Sequence, residues 1–427
     1  MSPSSYHCTG DDILRLICSM ASLSIDDGPP PAGTDSTAVD WDTLPAEVID
    51  NVFDRLTVDD LKTCRLVNKR TSSLATPGVF RKVHLSRNMR SLKNLESIAY
   101  HSQLGYHVHC LVWHRYGLMD LAEDRTDPVW SQEHKLLQAS DPDEESPRML
   151  QFQETYGREL MDQHAFREYS YSSWKFRQLL SSLECLRDLI YTCDVDITYS
   201  AQPLFPEAHP LVQRTGLRNA TRAGGWDLLN EWPTLRNSTS MGYVELACLG
   251  LWECILSRHP HRFCDFLRGA NHVKITFNAT DLWVLTCGYS NPKEWFVDPC
   301  HMLRELTKHL TGTVKLSLGF DMTWEYTPKQ RWRHQRGVAT ISYMTRQLLT
   351  SHFQNVRELT LTNIITDELE LCEFVRRHEP TVSLTFQEVR LRDGLSGRIL
   401  DASVSKKRVT QLLKPFLSSR KLSHMTT

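Results

Sequence analysis

The chain has 427 residues, a formal net charge of −2, 41% hydrophobic and 23% charged residues. That length gives room for about two to four domains of about 100–200 residues each, and the near-neutral balance lacks the basic footprint that a general nucleic-acid binder needs. No stretch reaches the ~18 uninterrupted apolar residues of a membrane span, so neither a nucleic acid nor a membrane is an expected partner.

The twelve cysteines show no CxxC pair and no regular spacing, which argues against a disulfide framework or a zinc ribbon. They read as buried thiols of a reducing compartment, cytoplasmic and/or nuclear. The sequons at Asn219, Asn237 and Asn278 then read as chance matches. Near the start, Ile13, Leu14, Leu16, Ile17, Met20 and Leu23 form a short apolar stretch. Asp11 and Asp12 precede it where a signal peptide has basic residues, so an amphipathic helical segment is expected. Residues 24–40, SIDDGPPPAGTDSTAVD, bury too little apolar surface to offset their ordering entropy, and residues 1–40 are expected to be flexible.

A compact helical pattern follows over residues 41–86. Pro45 suits the first turn of a helix, where its missing N–H costs nothing, and Asp42 or Thr43 is placed to cap it. Val48, Ile49, Val52, Phe53 and Leu56 make one apolar stripe at helical spacing. Thr57 with Asp60 forms a capping-box pattern, and the second helix presents Leu61, Cys64, Leu66 and Val67. A third short helix holds Leu74 and is expected to stop before Pro77. Phe80, Val83 and Leu85 then alternate as the start of a strand. Three helices in so short a segment cannot bury all these positions among themselves. Either the following domain or a separate partner has to cover the remainder.

The order Leu44-Pro45, Glu47-Val48-Ile49, Phe53, Leu56, Asp60-Leu61, Cys64-Arg65-Leu66-Val67-Asn68-Lys69 closely resembles the F-box. The tail Leu74-Ala75-Thr76-Pro77, Phe80-Arg81, Val83-His84-Leu85 looks like the form common in fungal F-box proteins. The resemblance implies docking on the Skp-type adaptor of an SCF (Skp–cullin–F-box) ubiquitin ligase, with no catalytic centre and no cofactor in this chain. The adaptor face it implies consists of Leu44, Pro45, Val48, Ile49, Phe53, Leu56, Leu61, Leu66 and Val67. At Thr71 the chain departs from the family, which usually has an aromatic residue there.

From residue 87 to 414 short β-type runs recur at uneven intervals, at His107–Trp113, Leu186–Tyr191, His272–Phe277, Thr313–Phe320, Val356–Ile364 and Val382–Leu391. Period-two alternation, as in Val314, Leu316 and Leu318, fits strands with one buried face. Helices are expected at Tyr243–His259, Met302–Leu310 and Asp367–His378, a polar insertion near 123–147, and a flexible tail over 415–427. The C-terminal strand–helix–strand unit, with Leu359, Leu361 and Asn363 in an L-x-L-x-N order, resembles that of fungal F-box proteins with degenerate leucine-rich repeats. The expected fold class is α/β: a small three-helix F-box, then an irregular leucine-rich-repeat-like solenoid. An ordinary α/β domain with a mostly parallel sheet gives a similar pattern and stands as the alternative.

Other chemistry is weakly signalled. Cys248, Cys254, His259, His261 and Cys264 cluster without a known ligand spacing, and His107 with His109 lacks a third ligand. No nucleophile elbow, phosphate loop, dinucleotide fingerprint or H-E-x-x-H helix occurs. The basic patches at Arg331, Arg333, His334 and Arg336, and at Lys406-Lys407-Arg408, read as solvated surface. The expectation is therefore a recruiting subunit that joins the adaptor, and through it a cullin–RING ligase, to an unnamed protein substrate. A protein-interaction scaffold without a ubiquitin role is the competing class, and an enzyme without a recognisable motif is a remoter one.

Overall fold

A computed structural model describes residues 44–114, 116–118, 145–171, 174–192, 221–223, 241–249, 267, 269–278, 310, 312–321, 331–351, 353, 355–378, 383–393, 398–417 and 424–426. Its first elements are three helices, α1 (Ala46–Phe53), α2 (Val58–Cys64) and α3 (Lys69–Phe80). Only Arg81 separates α3 from strand β1 (Lys82–Leu85). A nine-stranded sheet follows in the order β1, β2 (Cys110–His114), β4 (Asp188–Thr192), β6 (Tyr243–Leu249), β7 (His272–Asn278), β8 (Lys315–Asp321), β9 (Glu358–Thr362), β11 (Ser383–Gln387) and β13 (His424–Thr426). Every neighbouring pair in it is parallel.

The register explains the alternation in the sequence. Val83, Leu111, Leu189, Val244, Val273, Leu316, Leu359 and Leu384 share one row across eight strands. Two residues on, Leu85, Trp113, Tyr191, Leu246, Ile275, Leu318, Leu361 and Phe386 form a second row. Both rows are buried in one continuous core, because successive side chains of a strand point to opposite faces. On the other face Lys274, Lys315 and Glu358 stay half-buried or exposed.

Helices cover the apolar face, as parallel strands with crossover connections require. At one end α4 (Met89–Ala99) packs on β1, on α5 (Glu145–Tyr171) and on α6 (Trp174–Ser181). At the other, α7 (Arg331–Thr350), α8 (Glu368–His378) and α9 (Ala402–Leu417) pack in succession around a small parallel pair, β10 (Ile365–Thr366) with β12 (Arg390–Leu391). A further antiparallel pair joins β3 (Tyr116–Leu118) to β5 (Thr221–Ala223). Asn363 and Glu388 take φ of 53° and 54°, turning the chain out of β9 and β11. Asn363 Nδ2 donates to Phe320 O at 2.8 Å, tying its turn to β8.

Mixed α/β content with a parallel sheet is thus established. A solenoid of leucine-rich units is not, because the residues that share a row fall at unequal intervals along the chain. Tyr243–Leu249 is a strand where a helix was expected: Val244 and Leu246 alternate inward, and pairing on both edges outweighs the helical spacing. The strand expected from His107 begins only at Cys110, after a 3-10 turn over Gly105–His107. The run expected as one strand over Val382–Leu391 is broken at Glu388 into β11 and β12.

α3 does not stop before Pro77. The carbonyl left without a helical donor there belongs to Ser73, which is exposed to water, while Thr76 Oγ1 donates to Ser72 O at 2.6 Å. Where a flexible tail was expected from residue 415, α9 continues to Leu417 and β13 adds an edge strand. The N-terminal segment, most of the polar insertion and residues 302–309 lie outside the described residues.

Two glycines test the packing. A Cβ on Gly319 would stand 2.8 Å from Thr362 O, whereas one on Gly157, within α5, would meet nothing within 4 Å. Gly319→Ala is expected to cost about 1–3 kcal/mol, and Gly157→Ala to stabilise by about 0.4–1 kcal/mol. Thermal unfolding of the two variants should shift in opposite directions.

Candidate functional site

The three helices have an apolar core of their own, distinct from the core under the sheet. It comprises Ile49, Phe53, Leu61, Cys64 and Ala75, with Leu44, Val52, Leu56, Val67, Leu74 and Val79 packed around it. Local chemistry sets each helix. Pro45 occupies the N-cap position of α1, its carbonyl accepting from the Val48 amide at 3.1 Å. Thr57 and Asp60 form the expected capping box, with Asp60 N donating to Thr57 Oγ1 at 3.2 Å and Thr57 N donating to Asp60 Oδ2 at 3.1 Å.

A second box, not anticipated from the sequence, starts α3. Thr71 N donates to Asn68 Oδ1 at 2.8 Å, and Asn68 N donates to Thr71 Oγ1 at 3.1 Å. Arg70 donates to the Leu44 carbonyl, closing α3 against the entry to α1. Gly78 permits α3 to approach α2, since a Cβ there would stand 2.8 Å from Leu61 Cδ1. The Arg65 guanidinium lies over the Phe80 ring, 5.2 Å from its centroid, which adds a second bridge between α2 and α3.

The nine residues of the implied adaptor face fall into three groups. Ile49, Phe53 and Leu61 are buried, with Phe53 only 5% exposed. Leu44, Leu56 and Val67 are half-buried. Pro45, Val48 and Leu66 are exposed, Leu66 at 86%. The first group holds the three helices together, and the last offers apolar surface that none of the described residues covers. Thr71 is buried at 2% exposure. The position where the resemblance expects an aromatic ring therefore holds an inward, hydrogen-bonded helix cap.

Elsewhere the described residues offer little catalytic machinery. Burial pushes the Cys110 thiol up to about 11, with Lys82 opposing and Asp188 and Glu245 reinforcing the shift, so it stays protonated near neutrality. Tyr243 donates its hydroxyl to Glu245 at 2.6 Å, and Glu245 also pairs with Lys274 at 2.6 Å. Burial and that hydrogen bond hold the Tyr243 phenol well above its ordinary pKa. No group of three or more His, Cys, Asp and Glu is placed to hold a metal ion among the described residues.

Cys254, His259, His261 and Cys264 lie outside those residues, and Cys248 falls in β6. His107 ends the 3-10 turn and His109 precedes β2, so the two do not share a strand face. Arg331 to Arg336 open α7, and Lys406 to Arg408 lie on α9, where Arg408 pairs with Glu368 at 3.2 Å. One feature escaped the sequence reading: a cavity of about 350 Å³ lined by Arg81, His109, Cys110, Arg187, Asp188 and Gly242. Its only trace in the sequence is a set of three residue pairs, Arg81-Lys82, His109-Cys110 and Arg187-Asp188, at the head of successive strands.

The division between core and surface predicts two different outcomes. Phe53→Ala should destabilise the helical unit by about 3–5 kcal/mol, while Leu66→Ala should stay within about 0.5 kcal/mol. Limited proteolysis within residues 46–80 separates them, with only the Phe53 variant cut faster.

No curated protein matches the chain. Residues 41–78 match the family model of the F-box domain. The three helices that Pro45, Thr57 and Asn68 set in place are thus those of an F-box, and the chain carries an F-box domain ahead of its parallel sheet.

Proposed function

We propose that the chain is the substrate-recruiting subunit of an SCF-type ubiquitin ligase. The F-box docks on a Skp-type adaptor, and the sheet-bearing region presents a protein substrate. The observation that carries this reading is the F-box match at residues 41–78, together with the exposure of Pro45, Val48 and Leu66 beside a completed internal core. A free apolar group of this kind is what a partner covers in an interface centre. In this reading Leu44, Leu56 and Val67 border the contact, and Ile49, Phe53 and Leu61 support it from within.

The role is proximity rather than chemistry: substrate lysines are held near a charged ubiquitin-conjugating enzyme. The region after the F-box is read as of the fungal type that its C-terminal unit resembles, and the Asn363 turn after Leu359 and Leu361 supports that reading. A cytoplasmic and/or nuclear site of action belongs to the same proposal.

The test is co-purification with a Skp-type adaptor. Wild type should retain it, while Val48→Asp with Leu66→Asp should weaken retention by about 30-fold or more without loss of folded structure. A well-folded wild type that recovers no adaptor would contradict the proposal. Deletion of the chain in its cell should also let the substrate accumulate; unchanged partner levels with lost assembly would favour a scaffold instead.

A further inference from the structure

The cavity lined by Arg81, His109, Cys110, Arg187, Asp188 and Gly242 opens at the N-terminal rim of the sheet, where β1, β2, β4 and β6 begin. Its backbone is already satisfied. Arg81 O accepts from the His109 and Cys110 amides at 2.9 and 3.0 Å, His109 O from the Arg187 and Asp188 amides at 2.9 Å, and Arg187 O from the Gly242 amide at 2.7 Å. Recognition there has to come from side chains. Two of these are guanidiniums, both exposed and neither held in an ion pair among the described residues.

Among the described residues Asp188 is the single carboxylate of the lining, set against two guanidiniums. Burial, then Arg81 and Arg187, hold the His109 imidazole below its ordinary pKa, a sign of their field. Gly242 leaves room beside the carboxylate: a Cβ at that position would lie 3.3 Å from Asp188 Oδ1. The volume accommodates one side-chain head group with its adjoining backbone, near the lower end of specific pockets at ~300–1,000 Å³. Two arginine forks at a concave site are suited to a planar or tetrahedral oxyanion.

We propose that this rim cavity docks an acidic peptide segment, whose carboxylate or phosphate group enters between Arg81 and Arg187. The proposal deepens the recruiting role above and rests on it, since it names the chemistry by which a protein substrate is held. A metal site does not fit, because the flanking guanidiniums repel a cation. Covalent chemistry does not fit either, because the Cys110 thiol stays protonated.

The test uses the full chain and three labelled probes in fluorescence anisotropy: a hexaglutamate peptide, a neutral peptide carrying one phosphoserine, and hexalysine. Inorganic phosphate serves as competitor, and adaptor capture is measured in the same preparations. At least one of the two acidic probes should bind, hexalysine should not, and the glutamate and phosphoserine arms tell carboxylate from phosphate ester. Arg81→Gln with Arg187→Gln should weaken that binding about tenfold or more with adaptor capture unchanged, and Gly242→Leu, which fills the room beside Asp188, should do the same. The proposal is overturned by wild type binding neither acidic probe, by competition from free phosphate with no peptide bound, or by variants that bind as wild type does. Loss of adaptor capture with arginine-dependent peptide binding intact would count against the ligase role and leave the cavity's assignment standing.

Discussion

Parallel register is the constraint on which the rest of this structure depends. Once Val83, Leu111, Leu189 and Val244 share a row, every second residue of each strand is committed to the helix-covered face. A slip of one residue in any strand would turn its leucines and valines toward the polar face. The same register gathers the residues that precede each strand into one rim. Arg81, His109 and Arg187 are far apart in the chain and adjacent in space for this reason alone.

The junction with the F-box follows from the same arrangement. α3 ends at Phe80 and β1 begins at Lys82, so no linker intervenes, and α3 packs directly on β1 and on the 3-10 turn at Gly105–His107. The helical unit keeps its own core yet is anchored to the sheet's first strand. In the proposed recruiting role this would matter, because an adaptor on the F-box and a substrate on the sheet would keep a fixed separation. Arg81, the residue that follows α3, belongs at once to the helix end and to the rim.

Much of this was legible in the sequence. The F-box showed itself through the order of its motif and through the Thr57–Asp60 cap, both local features. Strands β7, β8 and β9 showed as β-type runs, and α8 through its amphipathic stripe. Tyr243–Leu249 was misread because YVELACL satisfies helical spacing as well as alternation, and only pairing with β4 and β6's other neighbour, β7, decides between them. In the sequence Pro77 reads as a stop, because the exposure of Ser73 cannot be seen in one dimension. The split of the nine apolar F-box residues into buried and exposed groups was hidden for a similar reason. A stripe on α1 says that Ile49, Phe53 and Val48 lie close together, while the packing of α2 and α3 against it decides which of them is covered. The rim cavity draws on four separate chain segments and leaves almost no local signature.

The most direct test of this account is hydrogen exchange of the full chain with and without a Skp-type adaptor. The account predicts added protection in the Pro45–Val48 turn and around Leu66, next to an F-box core already protected in the free chain. Exchange in β7 to β11 should not change. Protection confined to the sheet, or an F-box core around Ile49 and Phe53 that exchanges freely until the adaptor arrives, would contradict it.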